Sequence, residues 1–295
     1  MRTLCAAVVL LLSSVPANAQ ATDPQRLVVN GVELHYIELG RGDPLILLHG
    51  GQGDYRSWPQ HMEALAKHYR VISYSRRYHY PNKNPIAPGY SALVDADDLA
   101  ALIEKLDLGA VHLVGSSAGA FAALALAVEH PKMVRTMVLA EAPVLPWATS
   151  SPGGEALYRD FMSRTHEKAA PVFAAGDDEA AMRIFIDAFD GDGSFASLPA
   201  ERRRTIMQNV GYFKAITLSS DPYPNLPKSS LSKLDVPALV VRGELTHELD
   251  ILVADEVRRV LPRARLVVIP KAGHGSPRQN PQAFLAAVFD FLRAT

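Results

Sequence analysis

Runs of apolar residues alternate along most of this chain with longer segments whose apolar residues recur at helical spacing. The runs have the length of strands, and the longer segments have the period of amphipathic helices. This alternation is typical of an α/β fold, a mostly parallel, doubly wound sheet with helices on both faces. The predicted strands are Gln25–Val29, Val32–Leu39, Leu45–His49, Tyr69–Tyr74, Val111–Gly115, Thr136–Glu141, Ala238–Gly243 and Arg265–Pro270. The predicted helices are Trp58–His68, Leu93–Leu106, Ala118–His130, Ile251–Val260 and Pro281–Ala294.

The dipeptide Asn30-Gly31 joins the first two predicted strands. Both residue types accept the positive φ angles of a type I′ turn, whose twist matches that of the strands on either side. We therefore predict an antiparallel hairpin at the start of the sheet.

One long segment interrupts the alternation of strands and helices. Between Pro143 and Leu234 the sequence has helical patterns, at Glu155–His166 and Glu179–Phe189, but no run typical of a strand. A structureless loop of this length is uncommon in a compact domain. We therefore expect a helical cap at residues 147–232, inserted between strands 6 and 7, and a core formed by residues 20–146 and 233–295.

The first residues have the pattern of a secretory signal peptide. Arg2 supplies a positive charge, Leu4–Leu12 is an apolar run, and Ala17-Asn18-Ala19 fits the small-residue cleavage motif. We predict a signal peptide at residues 1–19, cleaved before Gln20, and hence a periplasmic or secreted protein. The apolar run is too short to span a membrane comfortably. A buried N-terminal strand and an uncleaved anchor are the alternatives.

Composition excludes several classes of function. The chain has 295 residues, of which 48% are hydrophobic and 21% charged, and its net charge is -1. Because no basic run would create a strong positive field, we expect no binding to nucleic acid or to an acidic membrane surface. The single cysteine, Cys5, lies in the predicted signal peptide, so the mature protein would have no disulfide or thiolate site. No HExxH, CxxC or phosphate-binding glycine motif occurs, so we expect neither a metal nor a cofactor.

The clearest chemical signal is a GxSxG motif centred on Ser117. The apolar strand Val111–Gly115 leads into the residues GSSAG, and an alanine-rich helical segment follows at once. A sharp turn from strand to helix exposes the serine hydroxyl, and glycine on both sides avoids clashes with neighbouring backbone. The following helix N-terminus adds N–H donors and partial positive charge for an oxyanion. These features predict that Ser117 is a nucleophile.

Three motifs together resemble the α/β-hydrolase family: Leu48-His49-Gly50-Gly51, GSSAG and Gly273-His274-Gly275. Their order and spacing match that family over nearly the whole mature chain. The resemblance implies an α/β-hydrolase fold and an oxyanion hole formed by the N–H groups of Gly51 and Ala118. We expect a small-molecule substrate, an apolar ester or acyl compound. It also implies that His274 is the general base, because it follows the last predicted strand, and histidine has a pKa near neutrality. The sequence does not indicate an oligomeric state.

The acid of the triad is less clear from the sequence. Members of this family most often carry an Asp three residues after the glycine that ends strand 7, and Thr246 occupies that position here. Some relatives, such as haloalkane dehalogenases and pancreatic lipases, carry the acid after strand 6, where this chain has Glu141. We predict that Glu141 orients and stabilises the imidazole. The alternatives, which lie after Gly243, are Glu244, Glu248 and Asp250.

Aromatic residues near these motifs could line a substrate pocket or pack in the core. In the stretch that begins at Ser75, Ser75 replaces the Asp and Tyr78 the Gly that many relatives carry. The residues for which the sequence does not distinguish a pocket wall from core packing are Trp58, Tyr78, His79, Tyr80, Phe121 and Trp147.

The sequence as a whole predicts a serine hydrolase that cleaves a carboxylic ester or related acyl bond through an acyl-enzyme on Ser117. A carbon–carbon bond hydrolase and a cofactor-free perhydrolase with the same triad are alternatives. Epoxide hydrolases and haloalkane dehalogenases are excluded because those relatives require Asp at the position of Ser117. A non-catalytic ligand-binding protein with the same fold is the alternative from another class.

Overall fold

The computed structural model describes residues 23–295, and eight strands form its single sheet in the order β1-β2-β4-β3-β5-β6-β7-β8. The strands are β1 Gln25–Val29, β2 Val32–Leu39, β3 Pro44–Leu48, β4 Arg70–Tyr74, β5 Val111–Ser116, β6 Val134–Ala140, β7 Ala238–Gly243 and β8 Ala264–Ile269. Strand β2 is antiparallel to β1 and β4, and the other neighbours are parallel. The predicted mostly parallel α/β sheet is confirmed, with strand ends within two residues of the prediction. The predicted signal peptide at residues 1–19 lies outside the described residues.

The predicted hairpin joins β1 and β2. Asn30 has a φ of 47° and Gly31 a φ of 74°, so both turn residues adopt the left-handed conformation that a type I′ turn requires. The pairing of Val29 with Val32 sets the register of the hairpin.

The helices are α1 Pro59–Leu65, α2 Leu93–Lys105, α3 Ala118–Glu129, α4 Gly154–Met162, α5 Lys168–Ala174, α6 Asp178–Asp190, α7 Ser194–Ser197, α8 Ala200–Gln208, α9 Val210–Thr217, α10 Lys228–Leu231, α11 Glu248–Val260, α12 Ser276–Gln279 and α13 Pro281–Leu292. All five predicted helices are present. The helix predicted to reach His68 ends earlier, and α11 begins before the predicted Ile251. The pattern at Glu155–His166 continues from α4 into a π-helical segment, Ser163–Glu167.

Both faces of the sheet are buried. In β3, Ile46 and Leu48 point to the core formed with α2, α3 and α11, whereas Leu45 and Leu47 point to the core formed with α1 and α13. All four side chains are fully buried. A strand that is covered on both faces has a continuous apolar sequence. This double covering confirms the predicted doubly wound arrangement.

The chain between β6 and β7 adds no strand to the sheet and instead forms α4 to α10. The buried Trp147 connects the beginning of this segment with residues near its end. Its Nε1 donates hydrogen bonds to Asn225 Oδ1 at 3.0 Å and to the Leu226 carbonyl at 3.2 Å. Within residues 23–295, no helix is both long enough and apolar enough to cross a membrane.

Candidate active site

Ser117 forms the turn between β5 and α3. Its φ of 51° lies in the left-handed region, which is unfavourable for a residue with a side chain and marks a tightly constrained turn. Gly115 and Gly119 make this turn possible. A Cβ on Gly115 would lie 2.7 Å from the backbone nitrogen of Ala120, and a Cβ on Gly119 would overlap the Leu48 carbonyl. The glycines on both sides of Ser117 therefore allow the close backbone packing that the motif predicts.

His274 lies in the loop between β8 and α12, beside Ser117. Its Nε2 is 3.1 Å from Ser117 Oγ, within hydrogen-bonding distance. The ring stacks on Phe189 of α6, with a centroid distance of 5.3 Å and an interplanar angle of 24°. The loop after β8 and a helix of the segment between β6 and β7 thus fix the orientation of the imidazole together.

Glu141 follows β6 directly and completes a chain of three side chains. Its Oε2 lies 2.7 Å from His274 Nδ1. Its Oε1 accepts a hydrogen bond from the Gly243 N–H at 2.7 Å, and Thr246 Oγ1 donates to Oε2 at 2.8 Å. The Glu141 side chain has no exposed surface. A buried carboxylate needs such partners, and these three contacts hold it in one position.

The three alternative acids after Gly243 lie in different places. Glu244 accepts a hydrogen bond from the Lys271 N–H at 2.8 Å, and Glu248 is an exposed residue in the first turn of α11. Asp250 lies nearer, with Oδ2 3.6 Å from His274 Nδ1. Glu141 therefore makes the hydrogen bond to His274, and Asp250 is a second carboxylate close to it.

These two carboxylates raise the pKa of His274. Burial of the ring lowers the pKa of His274, but Asp250 and Glu141 outweigh this effect and hold that pKa well above its ordinary value. Glu141, Asp250 and His274 are also the one group of potential metal ligands among residues 23–295, with atoms within 4.8 Å of one another. The 2.7 Å contact between Glu141 and His274 is a hydrogen bond that needs the proton on Nδ1, and a metal on that nitrogen would replace it.

The loop after β3 and the start of α3 meet at Ser117. A Cβ on Gly50 would lie 3.5 Å from Ser117 Cβ, so the loop passes directly beside the serine. A Cβ on Gly51 would be 2.9 Å from Tyr212 Cε1, so the close packing of Tyr212 favours glycine there. Ala118 is the first residue of α3, where backbone N–H groups have no partner within the helix. Of the predicted oxyanion residues, Ala118 therefore follows Ser117 directly, and Gly51 belongs to the loop that passes beside it.

A cavity of about 530 Å³ contains this arrangement. Ser117, His274, Gly51 and Ala118 are among its lining residues. Aromatic side chains from the helical segment between β6 and β7 also line it, namely Phe161, Phe185, Phe189, Tyr212, Phe213 and Tyr223. The volume is within the usual range for sites that bind small molecules, as is a mostly apolar wall.

The sequence indicated six aromatic residues as either pocket or core residues. Of these, Trp58 lines the cavity, and the other five do not. Phe121 and Trp147 are buried in the core, as is Tyr78. His79 packs between the rings of His49 and Tyr212, with centroid distances of 4.4 and 4.8 Å. For these residues the packing alternative holds.

A buried ion pair lies beneath Tyr212. Arg76 and Asp95 are both almost fully buried and form a salt bridge. The Arg76 guanidinium lies 4.6 Å from the centroid of the Tyr212 ring, and Tyr90 donates a hydrogen bond to Asp95 at 2.9 Å. Burial and the positive charge of Arg76 lower the pKa of His49 to about 3. This network therefore supports the wall of the cavity near Gly51 with a fixed set of charges.

The sequence did not identify His166 as a cavity residue. It lies in the π-helical segment, lines the cavity, and burial lowers its pKa to about 4, so the ring is neutral. Its Nδ1 is buried without a hydrogen-bond partner among the described residues. Single π-helical turns often occur at functional sites. No residue pattern in the sequence predicts the π-helical turn that contains His166.

Known proteins are similar to this chain along most of its length. The model of the alpha/beta hydrolase fold family matches residues 43–281. A 2-hydroxy-6-oxononadienedioate/2-hydroxy-6-oxononatrienedioate hydrolase from Burkholderia vietnamiensis is 28% identical over 90% of this chain and 94% of its own length. A 2-(acetamidomethylene)succinate hydrolase from Mesorhizobium japonicum is 26% identical over 92% and 95%.

A solved structure shares the fold at lower sequence identity. The thermophilic esterase of Thermogutta terrifontis, solved with malate bound, superposes with a TM-score of 0.69 at 24% identity, over 92% of this chain and 99% of the esterase. This likeness supports the architecture described above.

Proposed function

This chain belongs to the alpha/beta hydrolase fold family and is a hydrolase; we propose that it cleaves a carboxylic ester or related acyl bond through an acyl-enzyme on Ser117. The observation that carries the proposal is the chain of contacts Ser117 Oγ, His274 Nε2, His274 Nδ1 and Glu141 Oε2, with distances of 3.1 and 2.7 Å at its two links. A nucleophile, a base and an orienting carboxylate in this order are what acyl transfer by a serine requires.

In the acylation step, Ser117 Oγ attacks the substrate carbonyl while His274 Nε2 takes the hydroxyl proton. The N–H groups of Gly51 and Ala118 stabilise the negative oxygen of the tetrahedral intermediate. His274 then gives its proton to the leaving group as the bond to the carbonyl carbon breaks. In deacylation, His274 takes a proton from water while the water oxygen adds to the acyl carbon. The bond from this carbon to Ser117 Oγ then breaks as His274 returns the proton to Oγ, and the free acid leaves.

Glu141 acts through His274 in this proposal. Its hydrogen bond keeps the proton on Nδ1, so that Nε2 faces Ser117 with its lone pair. Its negative charge also stabilises the imidazolium that forms during each step. The three hydrogen bonds to Glu141 support this role because they keep the carboxylate in place within the buried site.

Carbon–carbon bond hydrolysis is a second candidate, and the sequence relatives favour it. Two of them are named 2-hydroxy-6-oxo-2,4-heptadienoate hydrolase, from Pseudomonas putida, and 2-hydroxymuconate semialdehyde hydrolase, from a Pseudomonas species, and both are 25% identical to this chain. With the same residues, Ser117 or a water activated by His274 would add to the ketone of a diketone, and a carbanion would leave in place of an alkoxide.

Residues 147–232 act as a cap in this proposal. Their helices supply the aromatic walls of the cavity and Phe189, which stacks on His274. They would therefore select the substrate, while the core performs the chemistry.

For residues 1–19 we propose a cleaved signal peptide and export to the periplasm or the medium. Mass spectrometry of the mature protein would find Gln20 at the N-terminus, and an intact N-terminus in exported material would contradict this.

The experiment that tests the proposed function compares the purified wild-type protein with the Ser117→Ala variant. The substrates are 4-nitrophenyl esters of increasing acyl length and, separately, a vinylogous 1,5-diketone acid. We expect turnover of at least one class by the wild-type protein and a loss of several orders of magnitude in the variant. Equal turnover by the two proteins would show that Ser117 is not the nucleophile. Binding without turnover of any substrate would favour the non-catalytic alternative.

A further inference from the structure

Arg202, on α8, is a half-buried cation in the wall of the active-site cavity. Its Nη2 donates a hydrogen bond to Gln52 Oε1 at 2.5 Å. Because Gln52 follows Gly51 in the loop after β3, this contact holds the guanidinium near the predicted oxyanion site. No Asp or Glu oxygen of residues 23–295 lies within 4.0 Å of an Arg202 nitrogen. Arg202 therefore faces the cavity with a neutral partner only.

Arg278, on α12, is a second cation in the same wall. Its Nη2 lies 3.3 Å from the position that a Cβ on Gly275 would occupy, and Gly275 follows His274. Arg278 is an exposed residue. In the part of the chain that the structure describes, it too has no carboxylate within 4.0 Å. Arg202 thus contacts the loop that carries Gly51, and Arg278 lies beside the residue that follows His274.

The two guanidinium groups line the same cavity. Burial, and next the positive charge of Arg278, lower the pKa of Arg202 to about 10, although Asp190 and Asp54 oppose the shift. Arg202 therefore stays positive at neutral pH. Asp54 is already paired with Arg56 at 2.7 Å, and Asp190 is exposed. Two like charges that share one partly desolvated site are unfavourable, and an anion bound between them would relieve the repulsion.

We propose that Arg202 and Arg278 bind an anionic group of the substrate, so that the compound cleaved at Ser117 also carries a free carboxylate. This inference rests on the proposed function, since it concerns the same cavity. A guanidinium presents paired N–H donors whose geometry matches a carboxylate. Binding at this wall would fix the scissile carbonyl between Ser117 and the oxyanion residues, and such positioning lowers the barrier of the chemical step.

The test compares two esters of matched shape, 4-nitrophenyl hydrogen glutarate and 4-nitrophenyl pentanoate, which differ by a terminal carboxylate in place of a methyl group. The quantity measured is the ratio of their kcat/KM values. We expect Arg202→Gln and Arg278→Gln each to lower this ratio about ten- to hundredfold, the usual effect of a lost charge-assisted hydrogen bond. Arg204→Gln, at an exposed position on the same helix, is the matched control and should keep the wild-type ratio.

A second measurement does not depend on turnover. Calorimetric titration of the Ser117→Ala protein with glutarate should show saturable binding that glutaramide, its neutral diamide, does not reproduce. Adding Arg202→Gln or Arg278→Gln should weaken the binding at least tenfold. The absence of glutarate binding, or equal binding by all variants, would overturn the anion site.

The two proposals fail in different ways. If pentanoate is cleaved through Ser117, glutarate is not preferred and glutarate does not bind, the anion site is wrong and the hydrolase function stands. If glutarate binds through both arginines but no ester or diketone is cleaved, the proposed function is wrong and the anion site stands.

Discussion

Thr246 Oγ1 lies 2.8 Å from Glu141 Oε2 and donates a hydrogen bond to it. Thr246 occupies the position at which members of this family most often carry the acid, and Glu141 follows the neighbouring strand β6. The carboxylate that reaches His274 therefore comes from β6, and the residue after β7 has become its hydrogen-bond donor.

Replacing Glu141 with Gln should lower kcat about 10³- to 10⁴-fold, because an amide can present its NH₂ group to His274 and favour the wrong tautomer. Glu244→Gln and Glu248→Gln are matched controls that should leave kcat close to the wild-type value, since neither side chain contacts His274. Steady-state kinetics on one ester checks all three variants. A loss of several orders of magnitude in a control, with Glu141→Gln near normal, would show that the acid lies after β7.

Replacing Thr246 with Val should lower kcat about tenfold, because Glu141 loses one of its three hydrogen bonds inside a buried site. Thr246→Ser keeps the hydroxyl and should restore most of the activity. Kinetic comparison of the two variants separates the hydroxyl from the size of the side chain. Equal activities in the two variants would mean that the hydrogen bond has no role.

Activity should depend on pH through His274. Only the neutral imidazole can take the Ser117 proton, so kcat/KM falls as the pH drops through the His274 pKa. Because Asp250 and Glu141 hold that pKa well above its ordinary value, the fall should begin at a higher pH than for an isolated histidine. Asp250→Asn removes one of the two negative charges and should move the acidic limb to lower pH. A limb that does not move in this variant would exclude Asp250 as a cause of the shift.

Replacing Asp95 with Asn should destabilise the fold by about 3–5 kcal/mol, because it leaves the buried Arg76 charge without its partner. Urea unfolding followed by circular dichroism gives this free energy. The double variant Arg76→Met with Asp95→Leu removes both charges and should recover much of the loss. A single variant as stable as the wild-type protein would show that water or another group compensates Arg76.

The positions of Ser117 and His274 could be predicted because each depends on a local pattern, a strand that runs into GxSxG and a glycine-flanked histidine after the last strand. The partner of His274 depends on how β6 and β7 are aligned. The Glu141 N–H donates to the Val241 carbonyl at 3.0 Å, and this places the two strand ends side by side. The sequence left that alignment open, so Glu141 could only be weighed against the residues after Gly243.

The sequence predicted that the segment between β6 and β7 is helical, but it did not identify which residues of this segment line the cavity. Phe189 and Arg202 reach the cavity because of how α6 and α8 pack over the core, and a helical period does not specify that packing. The same holds for Tyr212, whose contact with Gly51 depends on α9. Tertiary packing therefore determines which residues of this segment line the cavity.

Labelling with a fluorophosphonate tests the central claim most directly. The probe forms a bond between phosphorus and an activated serine oxygen and releases fluoride, so the adduct marks a serine that a base activates. We predict one adduct per chain, on the peptide that contains Ser117, at a rate that falls strongly in the His274→Ala variant. A wild-type protein that stays unlabelled, or a label on another serine, would contradict the assignment of Ser117 as the nucleophile.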